Sequence, residues 1–319
     1  MEKKITIALA VYKPNIEWLK LLLESLNNQS YKNLELIICD DCPESPVNPS
    51  IFEEYIKNFP YKLYQNKKNI GSNLSFEYLT SLAQGDYIAY CDQDDIWTPN
   101  KLERLKKEME LSNSLLSFSD MFIIDAQNKK IADSITEIRR RHIFLSGENL
   151  FTQLLTRNFV TGCTMLINSQ TAKEAIPFAT KMIHDHWLAL YASSKGSIKF
   201  VNEPLIYYRQ HSQNQTGVLI HVAKKSDYLK ERILKPQQNL YEIKDRFPHN
   251  KNLTSYIQLV YDWFEYRKNW WQKFSVSSAV QILKQYRLNP PATFFELVSA
   301  RMPEFIFSFF IQLVKKNKI

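Results

Sequence analysis

The sequence predicts an α/β fold, a parallel sheet with helices on both faces, followed by a helical C-terminal region. Three observations carry this. Short apolar runs alternate with amphipathic stretches through the N-terminal third of the chain. Two of those runs end in carboxylates. From His221 onward the chain reads as helices alone and holds the whole of the basic excess.

Lys4 to Tyr12 is a near-continuous apolar run and reads as a strand; Pro14 and the amphipathic stretch from Ile16 to Leu26 read as the helix after it. Leu34 to Cys39 is a second buried strand and ends at Asp40 and Asp41. Asn73 to Ala83 reads as a helix and Gly85 to Tyr90 as a further strand. Strands alternating with helices argue for a parallel sheet covered on both sides. In open sheets of this kind ligands bind beyond the carboxyl ends of the strands, where both acidic ends fall.

The denser acidic end lies in the stretch Ile88 to Trp97, where Asp92, Asp94 and Asp95 occur with no basic residue among them. At protein-like dielectric such carboxylates repel one another by a few kcal/mol, so a cation must offset them or their pKa values must rise. Hard oxygen ligands at a strand end point to magnesium or manganese, ions that usually share their coordination with phosphate oxygens. The plainer alternative is an acidic turn ahead of the helix that begins near Pro99.

Composition narrows the classes. The cysteines at 39, 42, 91 and 163 give one Cys-x-x-Cys pair whose inner residues are Asp40 and Asp41, whereas a zinc ribbon needs a second pair. Free thiols fit a reducing cytoplasm. With 6 glycines the chain has neither a Gly-rich phosphate cradle nor a Gly-x-Gly-x-x-Gly fingerprint. The run after Lys3 and Lys4 is too short and too polar-flanked for a secretion signal, and no apolar stretch approaches the ~18 residues of a membrane span.

The following motifs then occur in a recognisable order. Ala10-Val11-Tyr12-Lys13 closes the first strand and Cys39-Asp40-Asp41 the second; Asn69-Ile70-Gly71 is followed by Asn73. Gly85-Asp86-Tyr87-Ile88 leads into Asp92-Gln93-Asp94, trailed by Asp95-Ile96-Trp97. Downstream lie the stretch Asn158 to Thr164, then His184-Asp185-His186-Trp187, and Tyr208-Arg209-Gln210-His211 with Asn214 and Gly217. In this the chain resembles the family 2 inverting glycosyltransferases, with their GT-A, Rossmann-like nucleotide-sugar-binding fold, a mixed and mostly parallel sheet flanked by helices. The pattern is especially similar to bacterial polysaccharide rhamnosyltransferases, and it covers about residues 3 to 217.

The resemblance implies roles. Asp94 would be the principal ligand of Mn2+ or Mg2+, with Asp92 near the donor ribose or the metal, and His211 beside them. Asp41 would accept a hydrogen bond from the nucleotide base; Ala10, Tyr12, Asn69 and Asn73 would line the donor side. Arg209 and His211 would sit on a flexible segment closing over the donor diphosphate. Asp185 would be the general base that takes the acceptor hydroxyl's proton, giving inversion in one step. Gly162, Cys163, Thr164, His184, His186 and Trp187 would lie on the acceptor side. Asp185 also reads as a helix N-cap, Arg209 as a solvated loop cation, and the Asn69 to Asn73 loop as self-satisfying. The basic run Arg139-Arg140-Arg141-His142 stands where relatives carry acceptor-facing loops, and equally reads as a solvated charge run.

The C-terminal region adds a different signal. Residues 221–319 hold 17 Lys plus Arg against 8 Asp plus Glu, a net of +9, which leaves 24 against 25, or −1, for residues 1–220. Helices are expected at Lys224 to Ile233, Gln238 to Arg246, Leu253 to Phe274 and Ser278 to Tyr286. In the last segment Glu304, Ser308, Gln312 and Lys315 make a narrow polar stripe on an otherwise apolar helix, followed by Lys316 and Lys318. Too short to span a bilayer, it suits a membrane interface, with a docked terminal helix or a dimer contact as the alternative. No helix-turn-helix or RNA-binding signature accompanies the charge, so nucleic acid ranks last.

Residues 1–220 are therefore expected to form the catalytic domain, a donor half over about 1–97 and an acceptor half over about 98–220, with 221–319 a helical appendage. The expected activity is inverting, metal-dependent transfer of a sugar from a UDP- or dTDP-sugar to a saccharide acceptor linked to polyprenyl diphosphate, in bacterial surface-polysaccharide synthesis. The resemblance puts rhamnose first among donor sugars. The expected location is the cytoplasm, on the inner face of the cell membrane. A sugar-phosphate nucleotidyltransferase would show a Gly-rich loop after the first strand, and a non-catalytic nucleotide-sugar-binding scaffold would not need Asp92, Asp94 and Asp185 together.

Overall fold

The computed structural model describes residues 2–211, 219 and 221–315; Asn214, Gly217, Lys316 and Lys318 lie outside the described residues. The chain divides into two compact units. Unit 1 comprises Met1–Glu137, Ile143–Leu150 and Phe159–Ser212, and unit 2 comprises Ile138–His142, Phe151–Asn158 and Gln213–Ile319. The boundary expected near residue 220 falls close to the start of the last segment of unit 2. Two short segments, one carrying the Arg139 to His142 run, cluster with the helical unit instead.

Unit 1 opens with β1 (Ile5–Val11), α1 (Ile16–Asn27), β2 (Leu34–Asp40), α2 (Ser50–Tyr55), β3 (Tyr61–Gln65), α3 (Ser72–Leu82) and β4 (Tyr87–Cys91). All seven residues of β2 are buried, Glu35 and Asp40 among them, as in a strand covered on both faces. α1 starts where the Asn15 side chain accepts from the amides of Glu17 and Trp18, and it buries Leu19, Leu22, Leu23 and Leu26 at helical spacing. α3 starts after Gly71, whose φ of 83° is readily open only to glycine.

The unit continues with β5 (Ile96–Trp97), α4 (Lys101–Leu111), β6 (Leu116–Ile124), β7 (Lys130–Ala132) and α5 (Ile135–Ile138). After α6 (Phe151–Thr156), which clusters with unit 2, come β8 (Met165–Asn168), α7 (Ser169–Glu174), α8 (His184–Lys195) and β9 (Ile198–Arg209). The strands form one sheet in the order β3-β2-β1-β4-β8-β6-β9-β5, with β7 on β6. The quartet β3-β2-β1-β4 is wholly parallel, so the ends of β1, β2 and β4 share one rim. Beyond it β8 runs antiparallel to β4 and β6, β5 antiparallel to β9, and only β6 and β9 pair in parallel. The sheet is mixed, and its parallel character is concentrated in the N-terminal half.

Unit 2 holds α9 (Lys225–Leu229), continued by a π-helical stretch at Lys230–Leu234, then α10 (Lys235–Arg246), α11 (Lys251–Lys273), α12 (Val276–Lys284), α13 (Pro290–Ser299) and α14 (Glu304–Lys315). Its core gathers Tyr228, Trp263, Phe264, Trp271 and Phe307 around a buried ion pair of Arg267 with Glu296. No described helix is long and apolar enough to cross a membrane.

Candidate active site

Because β1, β2 and β4 are parallel, Tyr12, Asp41 and Asp92 come to the same rim from three separate strands. The acidic turn after β4 is fixed from two sides. Tyr12 N donates to Gln93 Oε1 at 2.8 Å and Gln93 Nε2 returns a bond to Tyr12 O at 3.1 Å, tying the turn to the end of β1. On the other side Arg209 N donates to Asp95 Oδ1 at 3.0 Å, and Arg209 Nε to Asp94 O at 2.8 Å.

This turn presents Asp94 outward and Asp95 inward. Asp94 Oδ2 lies 2.6 Å from His211 Nε2, both side chains partly exposed, and the His211 ring packs 5.0 Å from that of Trp18. The carboxylates of Asp92 and Asp95 and the Cys163 thiol lie within 4.8 Å of one another beneath. Burial, helped by the charges of Asp94 and Asp185, pushes Asp92 up to about 7, and burial raises Asp95 well above the usual carboxylate range. A cation is present too. Lys101, wholly buried, donates from Nζ to Cys163 O at 2.5 Å and sits 3.2 Å from the centre of the Trp97 ring. Both remedies for carboxylate repulsion are therefore built in.

Asp185 reaches the same place from the first turn of α8. Gly162 N donates to its Oδ2 at 3.0 Å, and its charge is one of those felt by Asp92. His184 turns the other way: its ring packs 4.1 Å from Phe76 and 5.5 Å from Tyr90, and burial pushes its pKa down to about 3. It is a neutral packing group.

The other expected residues are placed as follows. Arg209 is not on a flexible segment: it ends β9, is fully buried, stacks over Trp18 and also donates from Nη1 to Asp125 O at 3.0 Å, so it braces the acidic turn from within. Asp41 does not offer its carboxylate outward. It accepts from Asn66 Nδ2, Ile70 N and Gly71 N at 2.7–2.9 Å, closing the loop before α3. Asn73 donates to Met182 O at 3.0 Å, bracing the approach to α8. Trp187 is buried and donates to Ala175 O at 2.9 Å, Thr164 is buried in the turn it closes with Thr161, and Cys163 lies under the acidic turn. These three are interior groups. Asn69 is exposed, while Ala10 at the end of β1 and His186 in α8 are half-buried.

Gln93, Trp18 and Lys101 escape sequence reasoning as site residues. Gln93 stands within the acidic motif and was open to notice; Lys101 looks like any helical lysine until its burial is known.

Residues 6–174, 169 of the 319, match the family model described as Glycosyl transferase family 2. The chain belongs to glycosyltransferase family 2. Among curated relatives, this family 2 glycosyltransferase is 26% identical over 265 residues to an uncharacterized glycosyltransferase of Methanocaldococcus jannaschii, covering 81% of this chain and 83% of the relative. It is 24% identical over 224 residues to the UDP-Glc:alpha-D-GlcNAc-diphosphoundecaprenol beta-1,3-glucosyltransferase of Escherichia coli, covering 69% and 83%. Among solved structures, S. aureus TarS 1-349 in complex with UDP-GlcNAc superposes with a TM-score of 0.59 at 13% identity, over 99% of this chain and 91% of that one. The fold is GT-A-like, with a helical C-terminal region.

Proposed function

We propose that this glycosyltransferase transfers a hexose, with inversion, from a UDP-sugar to a saccharide acceptor carried on a polyprenyl diphosphate in bacterial surface-polysaccharide synthesis. The observation that carries the proposal is the convergence of Asp185, Asp92 and the Asp94–His211 pair on one rim of the sheet. The uridine nucleotide and lipid-linked acceptor are taken from what the E. coli relative is named for, and a UDP-sugar is also what the TarS structure holds. That support puts glucose or an N-acetylhexosamine ahead of rhamnose.

Asp185 is the proposed base. Its Oδ2 is oriented by the Gly162 amide, which fixes the carboxylate against a hydroxyl approaching it. The donor set of Asp94 carboxylate and His211 imidazole, with Asp92 adjacent, fits Mn2+ or Mg2+. The Asp92–Asp95–Cys163 group fits such an ion less well: Cys163 is held protonated by burial, and Asp95 already accepts from Arg209. A bound divalent cation would supply charge neutralisation on the leaving diphosphate. Catalysis is assigned to unit 1, with the enzyme held at the membrane surface where a lipid-linked acceptor resides.

The test is a thermal-shift panel of uridine and thymidine diphosphates and their sugars, with and without manganese, on the wild type and Asp94→Ala. A ligand at a hundred times its Kd adds about 2.7 kcal/mol, a readable rise in Tm. Metal-dependent stabilisation by the uridine series, lost in Asp94→Ala, is expected. No stabilisation by any nucleotide with either metal overturns the proposal.

A further inference from the structure

In unit 2 one helix is turned inside out. α13 buries Thr293, Glu296 and Ser299, whereas its Phe294 and Val298 are 58% and 60% exposed. The inversion has a local cause. Glu296 accepts from Arg267 Nε at 2.7 Å and from the Tyr228 hydroxyl at 2.8 Å, so the inner face of α13 is tied to a buried ion pair. Phe294 and Val298 are left facing out, while Phe295 packs on Tyr228 and Phe307.

Both flanking helices repeat the outward apolar stripe. α12 exposes Val276, Val280 and Leu283 at helical spacing. α14 buries Phe307, Ile311 and Val314, while Phe305 and Phe309 are 75% and 58% exposed. At about 100° per residue those two stripes lie on nearly opposite sides of α14. Two contacts join exposed groups around α13: the Tyr286 and Phe294 rings are 6.5 Å apart, and the Arg301 guanidinium lies 4.8 Å over exposed Phe274. A surface helix ordinarily turns its apolar stripe to the core, and an extended exposed patch marks an interaction surface.

Charge selects the occupant. From Lys273 to Lys315 the basic residues are Lys273, Lys284, Arg287, Arg301 and Lys315, all exposed, against Glu296 and Glu304. Glu296 is consumed by Arg267, so five cations and one carboxylate face outward. A two-fold contact with a second copy would bring this cationic patch onto itself. An anionic bilayer surface complements both the charge and the apolar stripes.

We propose that α12, α13 and α14 together form a lipid-contacting face that seats the protein on an anionic membrane, with Phe294, Val298, Phe305 and Phe309 entering the boundary between headgroups and acyl chains. This deepens the membrane-surface placement proposed above and rests on it; the contact spans three helices, not the terminal helix alone.

The experiment is co-sedimentation of the full chain with phosphatidylcholine vesicles, with and without phosphatidylglycerol, for the wild type and for a variant carrying Phe294→Ser, Val298→Ser, Phe305→Ser and Phe309→Ser. The wild type is expected to bind the anionic vesicles in a salt-sensitive way, and the variant to lose about tenfold or more in affinity with its circular dichroism unchanged. Should the variant not fold, Phe305→Ser/Phe309→Ser, confined to the outer face of α14, takes its place. Equal binding by a folded variant and the wild type overturns the proposal. So does a wild type that binds neither vesicle, and a dimer in light scattering that the substitutions dissolve would then assign the face to a second copy. Vesicle binding needs neither donor nor acceptor. Failure of the transfer reaction would show separately, as loss of turnover with a lipid-free acceptor.

Discussion

Gly162 holds Asp185 by a backbone amide, at 3.0 Å to Oδ2, and has no room for a side chain: a Cβ there would stand 2.6 Å from His184 Nε2. Gly162→Ala must therefore displace either the turn that carries the amide or the His184 ring packed on Phe76. We expect a loss of about 1–3 kcal/mol in stability, as for overpacking generally. We also expect kcat to fall by about 10- to 100-fold with KM nearly constant, because the proposed base is misplaced rather than the donor site. Steady-state kinetics beside Asp185→Asn checks this; an unchanged kcat would remove Gly162 from any positioning role.

Lys101 is the counter-charge that the acidic turn lacks in sequence. Lys101→Met keeps most of the volume but removes the buried ammonium from Asp92, Asp95 and the Trp97 face. Breaking a buried charge arrangement on one side costs about 3 kcal/mol or more, so the urea midpoint should drop sharply. A midpoint within error of the wild type would show that the carboxylates are protonated strongly enough to need no cation.

His184 supplies a pH signature with a definite sign. Burial holds its pKa at about 3, below the ordinary 6.5, so the unfolded chain takes up a proton that the folded chain refuses. The stability it contributes is fully present above 6.5 and is lost as pH falls toward about 3. Asp92 acts oppositely, its raised pKa making stability fall as pH rises from the carboxylate range toward about 7. The two overlap, so the informative quantity is the difference between wild type and His184→Gln. The variant is expected to lose less stability on acidification, read from urea midpoints at a series of pH values; parallel curves would refute this.

These residues also show how far the chain could be read before its structure. The strand ends at Asp41 and Asp92 were legible because a buried strand announces itself by a mostly apolar run, and a parallel sheet brings such ends to one rim. The pairing of Asp94 with His211, 117 positions apart, was reachable only through the family resemblance. Lys101 was not legible at all, since a lysine in an amphipathic helix is usually solvated and only the packing of Trp97 and Cys163 around it says otherwise. α13 was unreadable for the opposite reason: with Thr293 and Glu296 inside and Phe294 and Val298 outside, it reverses the pattern by which helices are oriented.

Arg209 distinguishes a brace from a substrate contact. Its amide and guanidinium together hold Asp95 Oδ1, Asp94 O and Asp125 O. Arg209→Lys retains the charge and the amide bond but cannot reproduce the planar fork that spans two carbonyls. If Arg209 braces the turn, the lysine variant should lose about 2 kcal/mol of stability, since at least one of the two carbonyls loses its charged donor. Manganese affinity should fall with it, because Asp94 and His211 would no longer be held together. Calorimetric titration of manganese without nucleotide reads this directly. If Arg209 instead closed over the donor diphosphate, metal affinity and Tm would stay and the KM for donor would rise, because lysine still offers a charge but not the bidentate contact. A fully buried guanidinium bonded to two backbone carbonyls favours the first outcome.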